Sequence, residues 1–248
     1  MAVTIKEDFE LPSKGKIYGK KFDPSFSLRS MTVEDEMKRL APSQNPYKSM
    51  AEIIESCLDE KFPIPVYDLC LGDYTYLLHK LRVVTYGADY NLRFTCPYCG
   101  ESEVVTINLD DMEVEEYNDK IKEMMSVKLP VTGYEVKLRF QTPRDLDRIN
   151  REARKMKEDF PDMVGDPTIL LTLQSLIDSV DGESVDPIMI RETLKKLPMK
   201  DTNVISQAAT KLNSFIGIKT DLHLKCSKCG GEVDTPFRYT NEFFGPTI

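Results

Sequence analysis

Tryptophan is absent from the 248 residues, histidine occurs twice, and no apolar run approaches the roughly 20 residues that a membrane span requires. The N-terminus carries no signal-peptide core, so a soluble protein made in the cytoplasm is expected. Enzyme signatures are lacking as well: there is no Gly-x-Ser-x-Gly, no His-Glu-x-x-His, no phosphate-cradling Gly-x-x-x-x-Gly-Lys and no glycine-rich dinucleotide turn. With His79 and His223 as the only imidazoles and neither near a nucleophile motif, no catalytic residue stands out and a non-enzymatic protein is expected. Positive charge is in deficit. A formal net charge of −8 argues against a nucleic-acid binder, which needs a basic face to neutralise phosphates. No tandem repeat occurs, and glycine and proline are too few for low-complexity behaviour.

What is present is cysteine in a pattern. Four of the six cysteines lie in two knuckles, Cys96-Pro97-Tyr98-Cys99-Gly100 and Cys226-Ser227-Lys228-Cys229-Gly230. Each knuckle sits between segments that read as strand: 90–95 and 104–109 around the first, 221–225 and 233–239 around the second. Paired Cys-x-x-Cys motifs of this kind predict a tetrahedral Zn²⁺ held by Cys96, Cys99, Cys226 and Cys229, a closed shell with no position for substrate. Cys96-Pro97-Tyr98-Cys99 also matches the active-site tetrapeptide of glutaredoxins. A redox motif opens a helix, however, whereas the residues after Cys99 alternate polar with apolar and are β-branched, which indicates a strand. Disulfides do not fit a reducing cytosol. Cys57 and Cys70 lie among apolar helical residues and are expected in the core. His223, three residues before Cys226, is a spare ligand that four thiolates do not need.

Along the chain, residues 8–28 carry too many turn formers for a helix. A helix starts at Thr32, with Asp35 completing a capping pair, and ends near Leu40. Others follow from Pro46 to about Leu58 and from about Asp73 to Tyr86, the latter stopped by Gly87. The acidic run 110–116 lacks the ligand alternation of a calcium loop and reads as a solvated face. A strand pair is expected at 125–129 and 134–141. Three helix starts use one device, a capping side chain before proline: Thr142-Pro143, Asp166-Pro167 and Asp186-Pro187, giving helices over 143–159, 167–179 and 187–196. A last helix spans 202–215.

These elements predict an α+β protein, mainly helical, with a split Cys₄ zinc ribbon formed by the two knuckles and a helical insertion between them. The expected divisions are an extended arm at 1–30, a helical region at 31–89, the split ribbon at 90–109 and 218–240, the insertion at 110–217 and a tail at 241–248.

Short motifs in a fixed order add a resemblance. Leu11-Pro12-Ser13-Lys14-Gly15-x-x-Tyr18, Leu28-Arg29-Ser30-Met31-Thr32 before the acidic residues 34–36, Ile53-Ile54-Glu55-Ser56-Cys57-Leu58 and Leu71-Gly72-Asp73 are similar to the T4-like phage baseplate hub assembly family. So are Thr85-Tyr86-Gly87-x-x-Tyr90, Ser179-Val180-Asp181-Gly182 and Phe243-Phe244-Gly245-Pro246. The family's closing Trp is Gly245 here. The resemblance spans almost the whole chain. It implies a chaperone or component in assembly of the baseplate hub and spike of a contractile tail, acting by protein–protein binding on hub, spike or other tail proteins. The implied location is the host cytoplasm during assembly or the tail baseplate of the virion. Many members of that family lack one or both knuckles, so the zinc is expected to serve structure. Two alternatives stay open: a permanent structural component of the baseplate, and a zinc-ribbon nucleic-acid binder. The arm at 8–28 and the tail at 243–248 are the expected partner contacts.

Overall fold

The computed structural model describes residues 6–19, 22–162, 165–184, 186–239 and 241–245. The fold is mixed α/β, with helix over 42% and strand over 22% of it. It is less helical than expected because several strands are only two to four residues long and pair far along the chain, too short to leave an alternating pattern.

The chain opens with a hairpin of β1 (Lys6–Glu10) and β2 (Ser25–Arg29), followed by α1 (Val33–Leu40), α2 (Pro46–Cys57) and α3 (Leu71–Tyr86). The first knuckle joins β3 (Asp89–Thr95) to β4 (Ser102–Asn108). The insertion then runs through β5 (Val114–Glu115), α4 (Ile121–Met124), β6 (Ser126–Lys128), β7 (Glu135–Leu138), α5 (Pro143–Asp159), α6 (Thr168–Leu176), β8 (Ile177–Val180), β9 (Glu183–Ser184), α7 (Pro187–Lys196) and α8 (Met199–Asn213). After β10 (Gly217–Ile218), the second knuckle joins β11 (Asp221–Lys225) to β12 (Glu232–Pro236). All pairings are antiparallel, and β6, β7, β8 and β9 form a four-stranded sheet. The helix expected over 167–179 ends at Leu176, where the β-branched Ile177 leads into β8 and the Asp181-Gly182 turn, both residues at positive φ.

Among the described residues, two large apolar cores form beside smaller clusters. The first gathers Leu11, Phe26 and Leu28 with Ile54 of α2, Leu77 and Leu81 of α3, and Phe243. The second holds Leu138, Ile177, Ile205, Leu212 and Ile216.

The N-terminal segment is not a free arm. Ser13 N–H donates to Asp73 Oδ1 at 3.0 Å and Tyr18 Oη donates to Oδ2 at 2.6 Å, so two arm residues grip one carboxylate in the first turn of α3. Burial pushes the Asp73 carboxyl above its usual range, against those hydrogen bonds. Gly15 turns the segment at φ 66°, where a side chain would strike Phe22. The tail is packed in too: Phe243 and Phe244 are buried in the first core, and Arg82, fully buried on α3, donates Nε–H to the Phe243 carbonyl at 2.9 Å. The described parts of 8–28 and 243–248, the expected partner contacts, are thus packed on the protein itself, where their apolar residues complete the first core. Residues 246–248 lie outside the described residues.

The insertion is fastened to the first core at polar points. Asp147 of α5 is fully buried; it accepts from Lys48 N–H at 2.9 Å, Tyr47 N–H at 3.4 Å and Tyr67 Oη at 3.0 Å. A carboxylate some hundred residues away thus caps the N-terminus of α2, where the local residue Asn45 makes no side-chain cap. Gly72 at the start of α3 touches Gly217 at the start of β10, and a Cβ on Gly72 would lie 2.2 Å from the Ile216 carbonyl oxygen. β10 pairs with β5 to close the insertion's base.

Candidate metal centre

Both knuckles are built alike. Glycine follows the second cysteine at φ 73° (Gly100) and φ 72° (Gly230), a left-handed turn that a side chain resists. Gly100 N–H donates to the Cys96 carbonyl and Gly230 N–H to the Cys226 carbonyl, each at 2.9 Å. Cys96 and Cys226 N–H close the turns on the carbonyls of Glu101 and Gly231, at 2.8 and 2.9 Å. The two hairpins are therefore the same device used twice. Their inner faces share a small cluster of Phe94, Cys96, Leu224, Cys226 and Val233.

This sets the sulfurs face to face. Cys96 Sγ lies 3.7 Å from Cys229 Sγ, and Cys99 Sγ lies 3.7 Å from Cys226 Sγ. All four fall within 4.8 Å of one another. A tetrahedral ion with metal–sulfur bonds of about 2.3 Å sets its sulfurs roughly 3.8 Å apart, so the shell has the right size for a metal. The spacing is far beyond a sulfur–sulfur bond, and all six cysteines are free. Cys96 and Cys226 are buried beneath the knuckles while Cys99 and Cys229 lie at the exposed rim.

The electrostatics suit a cation. Burial opposes the Cys96 thiolate, yet the backbone N–H groups of Cys99 and Tyr98 aimed at its sulfur prevail and bring its pKa down to about 7. Cys226 is pushed up to about 12, chiefly by the facing Glu103 carboxylate, a negative group against which a thiolate is disfavoured. An ion among the sulfurs would reverse that preference, since a coordinating thiol loses its proton outright. Glu103 also accepts from Ser227 N–H at 3.0 Å, and Lys228 pairs with Glu101, so each knuckle is tied to the other outside the shell. Gly231 gives the Tyr98 ring room: a Cβ there would sit 2.6 Å from the ring. Sequence reasoning missed these cross-knuckle partners, because nothing local marks an acidic residue in one hairpin as the mate of a residue more than 120 positions away.

The remaining candidates fall away from the centre. His223 is exposed on β11 and pairs with Asp234 across the hairpin at 2.7 Å. His79 is buried against Leu109. Cys57 is buried in the first core and Cys70 is buried beside Tyr18 and Asp73, and burial pushes both thiols up. Cys70 Sγ faces Asp73 N–H at the start of α3, 3.5 Å away. Among the described residues, the four knuckle cysteines are the only cluster able to hold a metal, and no helix is long and apolar enough to cross a membrane.

The family described as T4 bacteriophage base plate protein matches residues 2–245. No curated protein and no solved structure matches the chain. The match runs across both cores and both knuckles, so it covers the whole architecture rather than one motif. The chain belongs to the family of T4 bacteriophage base plate proteins, which gives it a role in the phage baseplate and neighbours among the other tail proteins.

Proposed function

We propose that this protein acts in assembly of the baseplate hub and spike of a contractile tail, by protein–protein binding and not by catalysis. A Zn²⁺ held by Cys96, Cys99, Cys226 and Cys229 locks its shape. One observation carries the reading: in a chain of this family, sulfurs from mid-chain and from near the C-terminus converge at tetrahedral spacing, with partners 127 and 133 residues apart. A closed Cys₄ shell offers no open coordination site for substrate, which suits a staple. In this reading residues 90–109 and 218–240 are the staple and 110–217 the insertion it closes. Zinc would supply charge neutralisation for the thiolates; the chain supplies the shell and the N–H groups aimed at sulfur.

Metal analysis of the purified protein tests the staple: one zinc per chain is expected, lost in Cys226→Ser. Mixing the wild type with purified hub and spike proteins of the same phage tests the role, with a stable complex expected. A metal-free chain that folds identically, or disulfide turnover that survives Cys226→Ser, would overturn the reading.

A further inference from the structure

Helix α1 is packed inside out. An amphipathic surface helix ordinarily turns its apolar stripe to the core and its charges to water. Here Asp35 is the buried residue. It accepts from Arg29 Nη1 at 2.7 Å, Thr32 N–H at 2.9 Å and Ser56 Oγ at 3.1 Å. Burial works against its charge, but Arg29 and Thr32 win and hold it well below the usual carboxylate range. One turn on, the Arg39 guanidinium lies over the Phe244 ring at 5.6 Å. Charge anchors this helix.

The apolar residues are left on the other side. Val33, Met37 and Leu40 are 79%, 69% and 66% exposed. Their spacing of i, i+4 and i+7 places them within one narrow arc, roughly opposite Asp35 and Arg39. The charges that flank the stripe are already matched on the same helix: Glu34 with Lys38 at 2.8 Å and Glu36 with Arg39 at 2.6 Å.

We propose that this stripe is a docking surface, and that its occupant is an aliphatic-lined groove on a different tail protein, which takes α1 as a single inserted helix. Anchors at i, i+4 and i+7 are the pattern of helix-in-groove recognition. The matched flanking charges ask for no countercharge from the groove. A second copy of this chain fits poorly. Three side chains on two turns offer on the order of a few hundred Å², well short of the ~800 Å² each partner contributes to a stable two-protein interface. Each copy also carries a net charge of −8, which opposes self-association. A groove that wraps the helix, as one contact in a larger assembly, meets both conditions. The inference rests on the assembly role proposed above and adds its surface and the chemistry of the partner.

The test places a photoreactive phenylalanine at Met37 of the full chain in phage-infected cells, with the same group at exposed Glu123 as control. Crosslinking from position 37 to one other tail protein, absent from position 123, supports the proposal. Purified baseplate proteins of that phage are then titrated singly against the wild type and Met37→Glu. Affinity for the crosslinked protein should fall roughly 10- to 100-fold, the loss of one well-buried methionine, with little dependence on salt. Met37 faces water, so the variant should keep the wild-type melting temperature, which separates lost docking from lost folding. Crosslinks joining two copies, or Met37→Glu binding like wild type, would overturn the groove while leaving the assembly role standing. A wild type that binds none of the baseplate proteins overturns both.

Discussion

The core around α3 and the pair of knuckles hold themselves together by opposite means. Around α3, twenty of the described hydrophobic side chains are buried together, and buried polar groups such as Arg82, Asp73 and Asp147 are hydrogen-bonded. The knuckle hairpins share five buried residues, two of them cysteines. Too little apolar surface lies between them to offset the ordering of two turns and four strands. In the proposed reading a metal would replace the missing core, as it does in small zinc domains where the site supplies about 10–16 kcal/mol of apparent binding energy.

The largest expected effect follows. Stripping metal with a chelator, or replacing Cys226 by Ser, should abolish amide protection in β3, β4, β11 and β12. Protection within α3 should survive, because Phe243 and Arg82 still tether the C-terminal end to the first core. Hydrogen exchange by mass spectrometry reads both regions at once. Equal loss everywhere would erase the contrast and make the knuckles part of one cooperative core.

Arg82 tests the other side of the comparison. Its guanidinium donates to the carbonyls of Phe243 at 2.9 Å, Gly87 at 2.5 Å and Asp89 at 3.3 Å, and burial lowers its pKa. These bonds join the end of α3, the start of β3 and the tail. Arg82→Ala leaves buried carbonyls without a donor and should cost about 3–5 kcal/mol, measured by denaturant unfolding. Zinc content should be unchanged. A variant that also loses its metal would show that the first core props the knuckles.

Much of this was legible in advance, for a physical reason in each case. The Thr32–Asp35 capping box forms and Thr142 caps the helix that starts at Pro143, since caps are decided within one turn; Asp145 completes a second box there. The helix starting at Pro143 ends at Asp159, as its pattern requires. The four metal candidates converge because both knuckles are local turns written in five residues. What stayed hidden is non-local. Asp147 reads as one more acid on a charged helix, although it caps α2. Val33, Met37 and Leu40 share one face at helical spacing, yet Asp35 takes the inner side and leaves them exposed. The motifs that carry the family resemblance prove to be fastenings: Ser13 and Tyr18 grip Asp73, and Gly72 gives Gly217 room. The arm's anchoring was hidden because its partner carboxylate lies some sixty residues away.

His79 gives the comparison a pH axis. Its Nε2–H donates to the Leu109 carbonyl at 2.9 Å and Nδ1 accepts from Tyr239 Oη at 3.3 Å, so the ring sits neutral in the first core. Burial lowers its pKa from 6.5 to about 4. The unfolded chain therefore binds this proton first as pH falls, and stability present above pH 6.5 is lost progressively down to about pH 4. The full effect is about 3 kcal/mol. His79→Gln offers one donor and one acceptor without titrating, and should flatten the stability profile across that window. Any acid release of metal would affect both proteins alike, so the difference between their profiles isolates the imidazole. A difference that stays constant with pH would remove His79 from the account.

The smallest expected effect lies where the insertion meets the first core. Gly72 approaches the Ile216 carbonyl so closely that a methyl group would overlap it, and Gly217 sits opposite at φ 110°. Gly72→Ala must push β10 away from α3 or bend the first turn of α3. Such overpacking costs about 1–3 kcal/mol, offset in part by the better helix propensity of alanine. The sign is still destabilising because the obstructing atom is backbone, which yields less readily than a side chain. The same shift would loosen β5 and β10, the pair that closes the base of the insertion. Faster exchange at β5 and β10, with α3 and the knuckles unchanged, would locate the loss at this crossing. If instead the variant melts like the wild type, the two backbones can separate without penalty, and the insertion is held by its other fastenings, Asp147 with its partners and Arg144 with Asp68 among them.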